Sequence, residues 1–151
     1  MPFDAPFTLG PFSVDGEGRL TPANPAMAPR FHFRCHNRLI QVRFDRADRG
    51  TGRLVLQVAL ARVPSTARSP DQALRPRSFA LLHWLERILP PGWRVALLAD
   101  HRFWLDTETP IGLPITAAGL VTELTRFALE LGPYLELMDE VGLTISDYGH
   151  R

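Results

Sequence analysis

Arg53-Leu54-Val55-Leu56-Gln57-Val58-Ala59-Leu60-Ala61-Arg62-Val63-Pro64 is the stretch on which the fold turns. Leu54, Leu56, Val58 and Leu60 recur at every second residue, so an extended chain puts them on one face. Val55, Ala59 and Ala61 make the other face apolar too, and this places the strand centrally in a sheet. Pro64 ends it, because proline donates nothing to a ladder.

N-terminal to this strand, Phe31, Phe33 and Cys35 alternate with His32, Arg34 and His36. After Asn37-Arg38, the apolar Ile40, Val42 and Phe44 alternate with Gln41, Arg43 and Asp45. Two period-two runs across a polar turn predict an antiparallel hairpin. Asp45 to Gly52 reads as a charged loop containing glycine. Residues 1–29 are proline-rich and extended, with one short edge strand drawn from Phe7, Leu9, Phe12 and Val14. It ends at Asp15-Gly16-Glu17-Gly18, and Arg19 to Thr21 can pair back across that turn.

C-terminal to it, Ser65 to Arg75 reads as a loop, and Pro76 suits the first position of a helix that runs to about Leu89. Pro90-Pro91-Gly92 stops it. Trp93, Val95 and Leu97 predict a strand, Asp100-His101 a tight turn, and Phe103, Leu105 and Thr107 the returning partner. Thr116 is placed to cap a final helix. That helix carries Leu120, Leu124, Phe127, Leu131, Tyr134, Met138 and Val141 at alternating intervals of four and three, a single stripe. The stripe keeps its phase across Gly132-Pro133, which predicts one kinked helix. The expected fold is therefore α+β, in β-β-β-α-β-β-α order. It has an antiparallel sheet of five to seven strands, with a mid-chain helix and a long C-terminal helix packed on it. Residues 1–143 form one domain and 144–151 a flexible tail.

The two helices differ in kind. Thr122, Thr125, Arg126, Glu130, Glu136 and Glu140 oppose the stripe of the final helix, so covering a sheet explains it. On the mid-chain helix Phe79, Leu81, Leu82, Trp84, Leu85, Ile88 and Leu89 sweep more than half the circumference, and His83, Glu86 and Arg87 hold a narrow polar strip. Such a helix needs cover on two sides. One side faces the sheet. A second copy of the chain is expected on the other, with Trp84, Ile88 and Leu81 as the homodimer interface; the N-terminal segment folding over it is the alternative.

The 151 residues suit a single domain with a real core. All 17 basic side chains are arginine, and with 16 acidic ones the net charge is only +1. That balance provides no general pull on nucleic acid or an anionic membrane. Cys35 is the sole cysteine, which excludes an intramolecular disulfide and fits a cytoplasmic setting. Met1-Pro2-Phe3-Asp4 lacks the start of a secretory signal, and no apolar run approaches bilayer length.

Chemistry candidates are few. His32, Cys35 and His36 lie close in sequence, but on a strand the two histidines face away from the cysteine, and no further ligand completes a tetrahedral set. No metal is expected. Asp100-His101 with Ser65 or Ser69 lacks a nucleophile elbow. Gly16-Glu17-Gly18 lacks the third glycine of a dinucleotide fingerprint. Asp45 and Asp48 interleave with Arg43, Arg46, Arg49 and Arg53 and cancel a basic patch. Trp84, Trp93 and Trp104 are divided between core packing and a binding surface. No catalytic residue and no cofactor follow from these patterns.

From Leu54 onward the order of elements resembles the small chaperones of bacterial type III secretion systems. The residues that carry the resemblance are the strand Leu54 to Val63 ended by Pro64, Leu81-Leu82 on the following helix, the strand pair from Trp93 to Glu108, and the amphipathic helix from Thr116. The resemblance implies an α+β fold, dimerisation and a non-enzymatic role: binding an extended segment of a partner polypeptide, with secretion as one setting for it and not a role that the resemblance establishes. A small regulatory or ligand-binding domain, or an enzyme with a pocket near His83 or His101, are the competing expectations.

Overall fold

A computed structural model describes residues 7–46, 50–63 and 74–140. The chain runs β1 (Phe7–Leu9), β2 (Phe12–Val14), β3 (Leu20–Pro22), β4 (Arg30–Cys35), β5 (Arg38–Arg46), β6 (Thr51–Arg62), α1 (Leu74–Ile88), β7 (Arg94–Leu97), β8 (Arg102–Gly112) and α2 (Ala117–Glu140). This is an α+β fold with two sheets, both antiparallel. One has three strands in the order β1-β2-β3, and the other five in the order β4-β5-β6-β8-β7. The single edge strand read from Phe7 to Val14 is instead two strands folded back at Gly10-Pro11, pairing Leu9 with Phe12. The tail from 144 and the expectation for Val141 lie outside the described residues.

Strand β6 is central, as its two apolar faces require. Leu54, Leu56 and Val58 are buried on one face, Val55 and Ala59 on the other. A bulge against β8 falls between Ala59 and Ala61, so Leu60 is the extra residue and both Leu60 and Ala61 end up buried. The β4–β5 hairpin turns on His36 and Asn37, one residue earlier than the polar pair Asn37-Arg38 suggested. Both have positive φ, 48° and 61°. This two-residue loop suits the right-handed twist of the paired strands. Arg38 thereby becomes a strand residue opposite Cys35.

The core lies on one face of the large sheet. Ile40, Val42, Phe44, Phe103 and Leu105 join the inward residues of β6. From above they meet Leu85 of α1, Phe127, Leu131, Leu135 and Met138 of α2, and Phe12, Val14 and Leu20 of the small sheet. Phe12 sets its ring edge-on to both Phe31 and Phe44, with centroids 6.2 Å away. The small sheet therefore covers the β4–β5 side, while α1 lies at the far side, against β7 and with Phe79 edge-on to Phe103 of β8.

Helix α2 begins as its sequence dictates. Thr116 Oγ1 accepts the Gly119 N–H at 3.0 Å, and the Gly18 carbonyl accepts the Ala117 N–H at 2.9 Å, so two otherwise unbonded donors of the first turn are satisfied. The second bond also ties the N-terminal strands to the helix. The helix continues through Gly132-Pro133 to Glu140. Pro133 is exposed, where the Leu129 carbonyl it leaves unbonded can take water. Gly132 is buried because His36 lies over it: a Cβ there would sit 3.3 Å from His36 Nε2. At the other end of the hairpin, a Cβ on Gly52 would stand 2.6 Å from the Phe44 ring.

Candidate functional site

Alternate residues of the same five strands form a second face, and no described helix covers it. The register runs His32–Gln41–Gln57–Asp106–Arg94 straight across all five strands, and Arg30–Arg43–Val55–Glu108 runs beside it. A polar row on one side and an aliphatic row on the other follow from period-two alternation in an antiparallel sheet with one face wet.

Charges on this face are unevenly matched. Arg43 bonds Asp45 through both carboxylate oxygens, Arg53 reaches Glu108 at 3.2 Å, and Arg94 meets Asp106 at 2.9 Å. The Arg43 guanidinium holds the Asp45 carboxyl below the usual carboxylate range. On β4, by contrast, Arg30, His32 and Arg34 are exposed and none makes an ion pair among the described residues, although Asp45 feels the charge of Arg30 from a distance.

Two shallow depressions open here. One, of about 240 Å³, lies among Arg30, His32, Leu39 and Arg43. The other, of about 400 Å³, lies between Gln57, Ala96, Leu98, Trp104 and Asp106. At its floor Asp106 Oδ1 is buried and accepts no hydrogen bond from the described residues. The Trp104 indole N–H is already committed, to Asp100 Oδ2 at 3.1 Å.

Beneath the hairpin lies a polar contact that the sequence did not reveal. Arg38 is only 2% exposed. Its Nε donates to the carbonyl of Leu60 at 2.9 Å, and its Nη1 meets Asp139 of α2 at 2.8 Å. The ladder between β5 and β6 runs only to Ile40–Val58, so the guanidinium takes up a carbonyl that no strand donor reaches. Adjacent arginines in a hairpin look alike in sequence. Only the one-residue shift of the turn puts Arg38, and not Arg34, on the covered side.

The candidate residues separate widely. His32 stands on the open face, Cys35 points toward the core, and His36 turns over Gly132 on the helix side. His32 and His36 thus do not share a face as strand alternation implied, because the turn begins at His36. No group of three His, Cys, Asp or Glu side chains converges among the described residues. Burial pushes the Cys35 thiol up, outweighing the pull of Arg38, which leaves little thiolate for nucleophilic work.

Asp100 and His101 form a turn: Asp100 Oδ1 accepts the Arg102 N–H, and His101 has a φ of 61°. Asp15 does the same for Gly16-Glu17-Gly18, accepting the N–H groups of Glu17 and Arg19 at 2.9 Å each. His83 is exposed on α1, 3.9 Å from Glu86. Ser65, Ser69, Asp48 and Arg49 lie outside the described residues.

Trp93 packs on Phe127 with centroids 5.1 Å apart, a core role, while Trp104 borders the open face. The three side chains expected at a dimer interface divide: Trp84 and Ile88 are exposed at 44% and 38%, and Leu81 is half-buried against the core. Among the described residues no helix is long and apolar enough to cross a membrane. Comparison of the chain with protein-family models, curated proteins and solved structures found no match to any of them.

Proposed function

We propose that this protein is a non-enzymatic, chaperone-like binding module of the bacterial cytoplasm that holds an extended segment of a partner polypeptide, with secretion as one setting for such a partner. The single observation that carries the reading is the large sheet itself. Its outer strands β4 and β7 each pair on one side only among the described residues. A row of unpaired backbone donors and acceptors is a template on which an extended chain can add as a sixth strand. A second copy of the chain on the exposed Trp84–Ile88 flank of α1 completes the proposal as a homodimer.

A specific observation favours one alternative, a ligand-binding domain. Asp106 Oδ1 waits without a donor beside Trp104, so a small molecule with an N–H and a flat apolar body would suit that depression.

Cross-linking in native cells, followed by amide hydrogen exchange on the purified complex, tests the main reading. A reproducible polypeptide that slows exchange along β4 or β7 is the expected result. A partner that protects neither edge, or no reproducible partner at all, overturns it.

A further inference from the structure

We infer that β4 is the edge that receives the added strand, and that the strand it takes is acidic on one side and apolar on the other. The inference rests on strand addition as the mode of binding, and it adds the place and the chemistry.

The backbone directions follow from the hairpin. Cys35 and Arg38 bracket a two-residue loop, so they form a bonded pair, and bonding then alternates along the strands. Phe33–Ile40 and Phe31–Val42 are bonded pairs in turn, and the Phe44 N–H does donate to the Pro29 carbonyl at 2.9 Å. The N–H and C=O groups of Arg30, His32 and Arg34 therefore point away from β5, to the edge where no described strand pairs. Those same three residues carry their side chains on the open face.

An incoming antiparallel strand would thus set one residue directly opposite each of Arg30, His32 and Arg34. Carboxylates opposite Arg30 and Arg34 would meet guanidiniums that make no ion pair now among the described residues, Arg30 being felt only at a distance by Asp45. The intervening residues would fall beside Phe31, Phe33 and Cys35, all half-buried and packed against the core, and apolar side chains there would extend the core outward.

Charge selects this edge and this occupant. On β7 the one basic residue, Arg94, is already neutralised by Asp106, and that strand has four residues against six. A second copy of the chain is also a poor occupant of β4. Antiparallel pairing of two β4 strands about His32 would set Arg30 of each copy opposite Arg34 of the other, like charges face to face. The cations that keep copies apart are the ones that would draw an acidic segment in.

The test uses fluorescein-labelled peptides of eight residues alternating Glu and Val, alternating Lys and Val, or with the same Glu and Val in two blocks. Fluorescence anisotropy should show the alternating Glu peptide bound most tightly, with affinity falling as salt rises from about 50 mM to about 300 mM. The double variant Arg30→Glu/Arg34→Glu should weaken it by about tenfold and improve the Lys peptide. Both sites are exposed, and circular dichroism checks that the variant stays folded. Amide exchange should slow at His32 and Arg34 in the complex. Equal binding of the Glu and Lys peptides, or no loss in the double variant, overturns the inference. Protection at Arg94–Leu97 in place of β4 would sink the choice of edge yet leave strand addition standing. Binding that protects neither edge would sink both.

Discussion

The two faces of the five-stranded sheet are built from alternate residues of the same strands, yet they obey different rules. On the covered face, the one buried charge among the described residues is bonded. Arg38 reaches the Leu60 carbonyl and Asp139 there, and apart from the small hydroxyls of Thr107 and Ser78 the described residues buried there are hydrocarbon. On the open face, most polar groups remain where water can serve them, the buried Asp106 Oδ1 excepted. Ion pairs form where strands happen to align them, and Arg30 and Arg34 of β4 make none among the described residues. The difference teaches where to look for stability and where for function. A change on the covered face should act on folding, and a change on the open face on what the protein binds.

The largest effect is expected at the centre of the covered face. Phe127 of α2 is 5% exposed and stacks against Trp93. Phe127→Ala should cost about 3–5 kcal/mol, as truncation of a buried ring does. Urea denaturation measures it directly. A loss below about 0.5 kcal/mol, the range of surface sites, would mean that the helix does not close this core.

Asp139 comes next, because it faces Arg38, the one charged side chain buried among the described residues. Asp139→Ala takes one carboxylate from the buried Arg38 guanidinium, at a cost of about 1.5–3 kcal/mol, the worth of a hydrogen bond between charged groups. A control on the open face sharpens the comparison: Arg94→Ala removes an ion pair whose arginine is 69% exposed, and its midpoint should hardly move. Equal losses for the two variants would erase the distinction between the faces.

Helix α1 repeats the comparison on a smaller scale. Leu82 packs against the core and Ile88 does not. Leu82→Glu should destabilise the fold by about 2 kcal/mol or more by forcing a charge against hydrocarbon. Ile88→Glu should leave the secondary structure intact and, in the proposed homodimer, halve the mass seen by light scattering. If the wild type scatters as a monomer at micromolar concentration, the dimer is refuted. The backbone carbonyl of Ile88 accepts the Tyr134 hydroxyl at 3.2 Å, a bond that the substitution does not touch.

Period-two alternation made the β5, β6 and β8 strands legible in the sequence, and the four-and-three stripe did the same for α2. Both are local signals written by burial. The central place of β6 was also visible, since both its faces are apolar. What escaped was set by long-range geometry. Which strand ends a sheet depends on chain order in space, so the cationic row of β4 looked like any wet face. The Arg38–Asp139 pair joins residues far apart in sequence, and a one-residue shift in a turn decided it. The division of strands between two sheets had the same origin. Gly10-Pro11 folded the N-terminal segment onto itself, and Phe12 then docked it on Phe31 and Phe44.

The smallest effect concerns pH, and it belongs to the open face. The hydrogen bonds from Arg43 keep the Asp45 carboxyl below its ordinary value, with burial opposing them. A carboxyl whose folded pKa is depressed binds fewer protons folded than unfolded, so its contribution is complete above the unfolded value, about 3.9. That contribution fades as pH drops through the lower folded value. Both groups are partly exposed, which keeps it under about 1 kcal/mol at neutral pH. Asp45→Asn should therefore lower the urea midpoint slightly at pH 7, and the gap from wild type should close in strong acid. A gap of the same size at both ends of the titration would mean that Asp45 contributes through its shape and not its charge. The open face would then owe none of its stability to this pair, and its ions would be free to serve binding alone.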